Sequence, residues 1–210
     1  MDRKYIKKFA RGTLKQNFLA IVLLTSIPIV LDVYGTLQKT DNSNLLLSFV
    51  SSIIIGILTS SLSPFIDKGI LIFSRNQQFS FQKDMVETVK NHGIRYILTM
   101  WLREISILFW SLFLIIPGIY KSYSYSLVSY LLVDNEDLSY RDALYRSEEL
   151  MEGFKMEWFI LDLSFLLWDI LALFTFGIPY IWITPYKRTT YAKFYEERIK
   201  LLSNVKFSMT

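Results

Sequence analysis

A chain of 210 residues with no cysteine and a single histidine, His92, has no disulfide, no thiolate metal site, no cysteine nucleophile and no histidine cluster. The net charge of +4 does not point to nucleic acid, because the cations gather at the two termini and beside apolar blocks, where membrane proteins place them. At 52% hydrophobic and 20% charged the composition is close to that of soluble domains, so distribution decides the class: apolar residues run in long blocks with the charges pushed between them.

The first block, about 17–34, follows Arg3, Lys4, Lys7, Lys8, Arg11 and Lys15. That charge order is the order of a signal peptide. No small-x-small cleavage site follows, and the block ends in Leu31-Asp32-Val33-Tyr34, so an uncleaved signal anchor is expected. The second block, 45–66, carries no charged side chain and predicts a helix running on to Phe73. At 1.5 Å per residue it is roughly 33 Å long, enough to cross a hydrocarbon core of about 30 Å. Ser48, Ser52, Gly56 and Ser60, followed by Pro64, recur every four residues and let another helix come close. That stripe predicts either packing inside the bundle or a contact between two copies. Residues 79–90 then place Phe81, Met85, Val86 and Val89 opposite Lys83, Asp84, Glu87 and Lys90, the pattern of an amphipathic helix.

The third block, about 94–116, ends in Ile116-Pro117-Gly118, and the fourth, about 119–133, is short and rich in tyrosine and serine. A second amphipathic helix is expected over 138–157. Ser139-x-x-Asp142 reads as its capping box, and Leu144, Ser147, Met151 and Phe154 line one face. The fifth block, about 158–176, closes in Phe176-Gly177-Ile178-Pro179, and the sixth spans about 179–195. Lysine and arginine alternate across the connections so as to place both termini in the cytoplasm. Pro117-Gly118 and Gly177-Ile178-Pro179 then become tight outer turns. The expected architecture is all-α: a polytopic bundle of about six membrane segments with cytoplasmic amphipathic helices.

Charge inside the apolar blocks is the informative feature. Arg103 and Glu104 fall in the third block, Asp162 and Asp169 in the fifth, Lys187 and Arg188 in the sixth. Each is costly at mid-bilayer unless paired or hydrated. Asp162 and Asp169, seven residues apart, share a helix face. A hairpin about Gly177-Ile178 levels Asp169 with Lys187 or Arg188, and Asp162 with Lys193, so ion pairs are expected there. Arg103 and Glu104 are sequence neighbours about 100° apart around a helix. They are not expected to satisfy each other through one shared face, and at least one is expected to find another partner or water. No motif of an intramembrane protease, a phosphate loop or a metalloenzyme is present. Neither an enzyme nor a cofactor is expected.

Several strings carry a resemblance. They are Phe109 to Lys121, Ser124-Tyr125-Ser126, Leu132-Val133-Asp134-Asn135, Met151-x-Gly153, Phe159 to Phe165, Pro185-Tyr186 and Ala192-x-Phe194-Tyr195. Together they resemble an uncharacterised bacterial membrane family, domain of unknown function 975. The resemblance spans about 9–197 and is specific from 105 onward; it implies a multi-helix membrane bundle with no established activity. Arg103-Glu104 and Lys187-Arg188-Thr189-Thr190 depart from the family's apolar or small residues. Two functions are expected to compete. One is a non-enzymatic accessory or regulatory protein of a Gram-positive-type bacterial cytoplasmic membrane, partnering a transport or secretion system or conferring self-immunity to a peptide. The other is a small transporter or lipid- or peptide-binding protein using the intramembrane charges. The expected partners are the lipid bilayer and another membrane protein or a second copy, with no nucleic acid.

Overall fold

The computed structural model describes residues 2–41, 45–113, 115–135, 137–175, 177 and 179–208. Among them every regular element is helical. Helix α1, Arg3–Gln16, starts at Asp2, whose Oδ1 accepts the Lys4 N–H at 2.9 Å. Ile6, Ala10 and Thr13, at steps of four and three, form its buried face and pack on the last helix. The chain then turns by 100° into α2, Phe18–Asp41, which packs along α3, Leu45–Ser74.

A π-helical turn, Phe81–Val86, leads into α4, Glu87–Phe113. Asp84 accepts the Ser80 N–H at 2.6 Å and anchors that turn. Of the four apolar residues expected on one face here, only Met85 is buried; Phe81, Val86 and Val89 are exposed. The third block does not end at Pro117-Gly118. α4 stops at Phe113, and both residues lie inside α5, Ile115–Ser124. A proline in the first helical turn has no partner to lose, since that N–H is unpaired in any helix. Gly118 has a packing reason. A Cβ there would sit 2.0 Å from Ser111 Oγ and 2.8 Å from Ser111 Cα, so α5 folds back tightly on α4.

The fourth block is also broken. After Tyr125-Ser126-Leu127 the helix restarts as α6, Val128–Asp134. Helix α7, Tyr140–Met151, begins at Ser139, but the serine side chain makes no capping bond, so the expected capping box does not form. Its face of Ala143, Leu144, Ser147, Leu150 and Met151 is buried against α4, α5 and α6. The helix is therefore a packed part of the bundle. Phe154, expected on that face, lies beyond Gly153, whose φ of 74° ends the helix.

Helix α8, Lys155–Phe174, closes through Gly177, at φ 79°, whose N–H bonds the Ala172 carbonyl at 2.8 Å. Ile178 lies outside the described residues. Helix α9, Tyr180–Ser208, runs well past the expected end at 195. The buried core joins Ile6 and Ile21 to Ile70 and Leu71 of α3, Tyr96 and Met100 of α4, Leu131 and Leu132 of α6, Leu161 of α8 and Phe194 and Tyr195 of α9.

Elsewhere the arrangement is inverted. Ile94, Leu98, Trp101, Ile105, Leu108, Leu112 and Ile116 step by three and four along α4 and its continuation and all face outward, Leu112 at 84% exposure. On α8, Leu163, Leu167, Ile170 and Phe174 do the same. Asp67, Lys193 and Arg198 are buried. By length and composition, one described helix, Val50–Ser74, is long and apolar enough to cross a membrane. A second qualifies if Arg3–Gln16 and Phe18–Leu31 count as one bent span. The other expected segments contain the charges described next.

Candidate functional site

A cavity of about 1100 Å³ opens between α2, α3, α4, the α5–α6 break, α8 and α9. Five charged side chains border it: Asp67, Arg103, Asp169, Lys187 and Arg188. Tyr125, Tyr130, Trp158, Tyr180 and Tyr191 supply aromatic wall, and Pro28, Ile29, Met100 and Ile183 apolar wall.

On α9, Lys187 and Arg188 are adjacent, hence about 100° apart, and they reach different helices. Lys187 Nζ lies 3.1 Å from Asp162 Oδ1 and 3.1 Å from Asp169 Oδ2, bridging the two acids of α8. Arg188 Nη1 lies 2.9 Å from Asp67 Oδ1 on α3. Asp67 is 3% exposed; it also accepts the Ser129 hydroxyl at 2.5 Å and bonds the buried Tyr130. Three groups from two helices, α6 and α9, thus close around this carboxylate of α3.

The expected Asp169–Lys187 pair is present, while the expected Asp162–Lys193 pair is not. Asp162 takes Lys187 and the Tyr191 hydroxyl instead. Lys193 turns to α1, 4.1 Å above the Phe9 ring, and pairs with Glu196 and Glu197 on its own helix at 3.2 Å each. Arg103 and Glu104 correct half of a second expectation: they pair with each other, and the further partners expected for them are also present. Their side chains swing around the helix and meet at 2.6 Å, Nη1 to Oε1. Each also has another partner: Glu104 accepts the Ser60 hydroxyl at 2.8 Å, and Arg103 Nε donates to the Tyr125 carbonyl at 3.0 Å.

That last bond explains how the α5–α6 break is tolerated. Interrupting a helix strands backbone groups, and burying them unpaired costs about 1–3 kcal/mol each. Arg103 takes the Tyr125 carbonyl. Ser147 Oγ donates to the Ser124 carbonyl at 2.8 Å and accepts the Leu127 N–H at 3.2 Å. The break, with Tyr125, Ser126 and Ser129, then lines the cavity.

The small-residue stripe does not act as one unit within the chain. The Ser48 side chain lies outside the described residues. A Cβ on Gly56 would meet nothing within 4 Å among the described residues. Ser52 is half-buried, and Ser60 serves the Glu104 carboxylate. Among the described residues no group of three or more histidine, aspartate or glutamate side chains forms a metal site.

Sequence reasoning misses Asp67, because the uncharged block is cut at Ile66, one residue too early. The signal is present in the apolar Gly69-Ile70-Leu71-Ile72-Phe73 that follows. It also misses a polar cluster at the far end of α3. There Arg75 makes a two-pronged pair with Asp134, at 2.8 and 2.7 Å, and the Tyr195 hydroxyl donates to the same aspartate at 2.9 Å. The hydrogen bond to Asp134 raises the Arg75 pKa. Arg198 donates twice to the Leu150 carbonyl and lies over the Phe154 ring.

Residues 105–201 match the model of a family described as a protein of unknown function, DUF975. Over this span, a little under half of its length, the chain is similar to the DUF975 family. The DUF975 region holds the α5–α6 break, the two aspartates of α8 and the cations of α9, whereas Asp67, Arg103 and Glu104 come from outside it. Neither a curated protein nor a solved structure matches the chain.

Proposed function

We propose that this chain is a multi-pass protein of a bacterial cytoplasmic membrane whose interior cavity binds a small amphipathic ligand carrying charges of both signs. Its crossings are α2, α3, α4, the broken α5–α6 pair, α8 and α9, with both termini in the cytoplasm.

The membrane reading rests on the outward apolar stripes. Leaving a leucine or isoleucine in water instead of burying it costs about 1.5–3 kcal/mol. The six leucines and isoleucines of the stripe on α4 and its continuation therefore cost roughly 9–18 kcal/mol, as much as the whole net stability of a typical domain. In lipid that cost vanishes. The charges that keep α4, α8 and α9 from looking like spans are paired inside, the arrangement in which a bilayer tolerates them. Non-helical backbone at membrane depth is tolerated where it lines a cavity, and the α5–α6 break does so.

The cavity carries the functional reading. Protein interiors pack densely, and a space of about 1100 Å³ bordered by five charged side chains holds water or a ligand. It is of the size of small-molecule sites. Its lining offers cations, carboxylates and aromatic faces together, which suits a short peptide or a zwitterionic amphiphile. No enzymatic step is proposed. The accessory-protein reading loses one of its supports, because the apolar face of α7 that would dock a partner is already buried.

The absence of cysteine makes the test clean, since any introduced thiol reports alone. Single S126C and T184C variants, both on the cavity wall, are treated in membranes with a small, charged maleimide. Labelling of both supports a hydrated binding cavity. Protection of both, with labelling restored after denaturation, means a dry interior and sinks the ligand-binding reading.

A further inference from the structure

We infer, resting on the binding reading above, that the ligand of the cavity presents a carboxylate and that Arg103 and Arg188 hold it. The two guanidiniums come from α4 and α9, and both border the cavity. Both are anchored to the broken α5–α6 stretch. Arg103 Nε donates to the Tyr125 carbonyl at 3.0 Å. Arg188 Nη1 bonds Asp67 at 2.9 Å, and the same carboxylate accepts the hydroxyl of Ser129.

A guanidinium offers five N–H donors in one plane. Among the described residues Arg188 uses only Nη1, and Arg103 uses Nε and Nη1. Nη2 of both side chains and Nε of Arg188 have no partner in the fold, yet none of them is a buried nitrogen left unpaired. These donors therefore end in open space, and the cavity is the open space that both residues border. The lining acids divide differently. The Asp67 side chain is 4% exposed and is taken by Arg188, Ser129 and Tyr130. Asp169, at 27%, is the lining acid left open. The wall thus presents free donors at the two arginines and a free acceptor at Asp169, which sets the ligand's direction: anionic end to the arginines, cationic end to the aspartate.

Charge selects the kind of anion. Glu104 and Asp67 already neutralise one guanidinium each, at 2.6 and 2.9 Å. A doubly charged phosphate group would lose its hydration there without enough positive charge to offset the loss. A carboxylate brings a single charge, and its two oxygens match the guanidinium fork. The free C-terminus of a short peptide is such a group.

The test follows the rate at which a small charged maleimide labels S126C and T184C in membranes at constant ionic strength. Position 126 adjoins the carbonyl that anchors Arg103, and position 184 lies one turn before Arg188. Phenylpropionate, phenylpropanol, phenylpropylamine or phenyl phosphate is added; the ring is common and the polar head differs. Phenylpropionate is expected to protect both positions at a concentration on the order of tenfold below the others, the worth of a hydrogen bond to a charged group. R103K and R188K keep each charge but lose the fork, and each should raise the phenylpropionate midpoint about tenfold. R146K, on the exposed face of α7 and away from the cavity, should leave it unchanged. Protection by the alcohol, the amine or the phosphate equal to that by phenylpropionate overturns the carboxylate assignment, and this comparison needs only the parent arginines. Unchanged midpoints in R103K and R188K proteins that melt like the parent overturn the placement at the arginines. Cysteines that stay unlabelled without any probe mean a dry interior and overturn the binding reading beneath.

Discussion

Replacing Asp67 by alanine removes the only carboxylate paired with Arg188 among the described residues. The aspartate side chain is 4% exposed and the arginine 21%, so the pair is buried on one side and borders the cavity on the other. Breaking a buried pair by removing one member typically costs about 3–5 kcal/mol, because the survivor is left charged and unpaired. Arg188 reaches the cavity, where water can solvate it in part, so the lower end, about 3 kcal/mol, is expected. The Ser129 hydroxyl loses its acceptor as well. For a chain of this size each kcal/mol moves Tm by about 2–4 °C, so D67A should melt roughly 6–12 °C below the parent in detergent. The double variant D67L/R188M removes both charges and should recover most of that loss, since apolar replacement of a buried pair is often neutral. A D67A protein melting within about 2 °C of the parent, or a double variant as unstable as the single, would refute the claim that the two charges hold one another.

Asp169 shares Lys187 with Asp162, so D169N leaves the lysine a partner and is expected to cost only about 1 kcal/mol, a Tm change well below that of D67A. Gly118→Ala places a Cβ 2.0 Å from Ser111 Oγ and 2.8 Å from its Cα. It should cost about 1–3 kcal/mol by thermal melting, and S111G should restore only part of the loss because the backbone contact remains. Burial, with the neighbouring charges of Arg11 and Arg3, lowers the Lys7 pKa. A base whose folded pKa is depressed below its unfolded value of 10.5 disfavours the folded state while protonated. Stability should therefore rise as pH climbs through the depressed value toward 10.5. Comparing Tm against pH for the parent and K7M isolates this effect, and parallel curves would contradict it.

Much of the helical layout is legible in the sequence because helices with apolar outer or buried faces leave long apolar blocks with few competing patterns. Boundaries fail where a local rule meets a tertiary contact. Pro117-Gly118 reads as a turn, yet the glycine is there to let α5 touch Ser111, and the proline is harmless in a first turn. The break at Tyr125 to Leu127 has no local breaker residue. It persists because Arg103 and Ser147, from two other helices, satisfy its backbone. In the site, the Lys187–Asp169 pair follows from hairpin register about Gly177. Arg188–Asp67 joins residues 121 apart, and no periodicity encodes it. Arg103 and Glu104 show the limit of helix-wheel reasoning: long side chains close a 100° gap that Cβ directions alone keep apart.

The central claim is an inverted bundle, apolar outside and charged inside, and two single cysteines test it directly. Leu167 faces outward at 78% exposure, and Thr184 lines the cavity. A bimane dye is placed on L167C or T184C in reconstituted vesicles and quenched in turn by a lipid-borne nitroxide and by aqueous iodide. The account predicts that the nitroxide quenches the dye at position 167 and iodide the dye at position 184. Iodide quenching at 167 with no effect of the nitroxide would place that face in water and contradict the account.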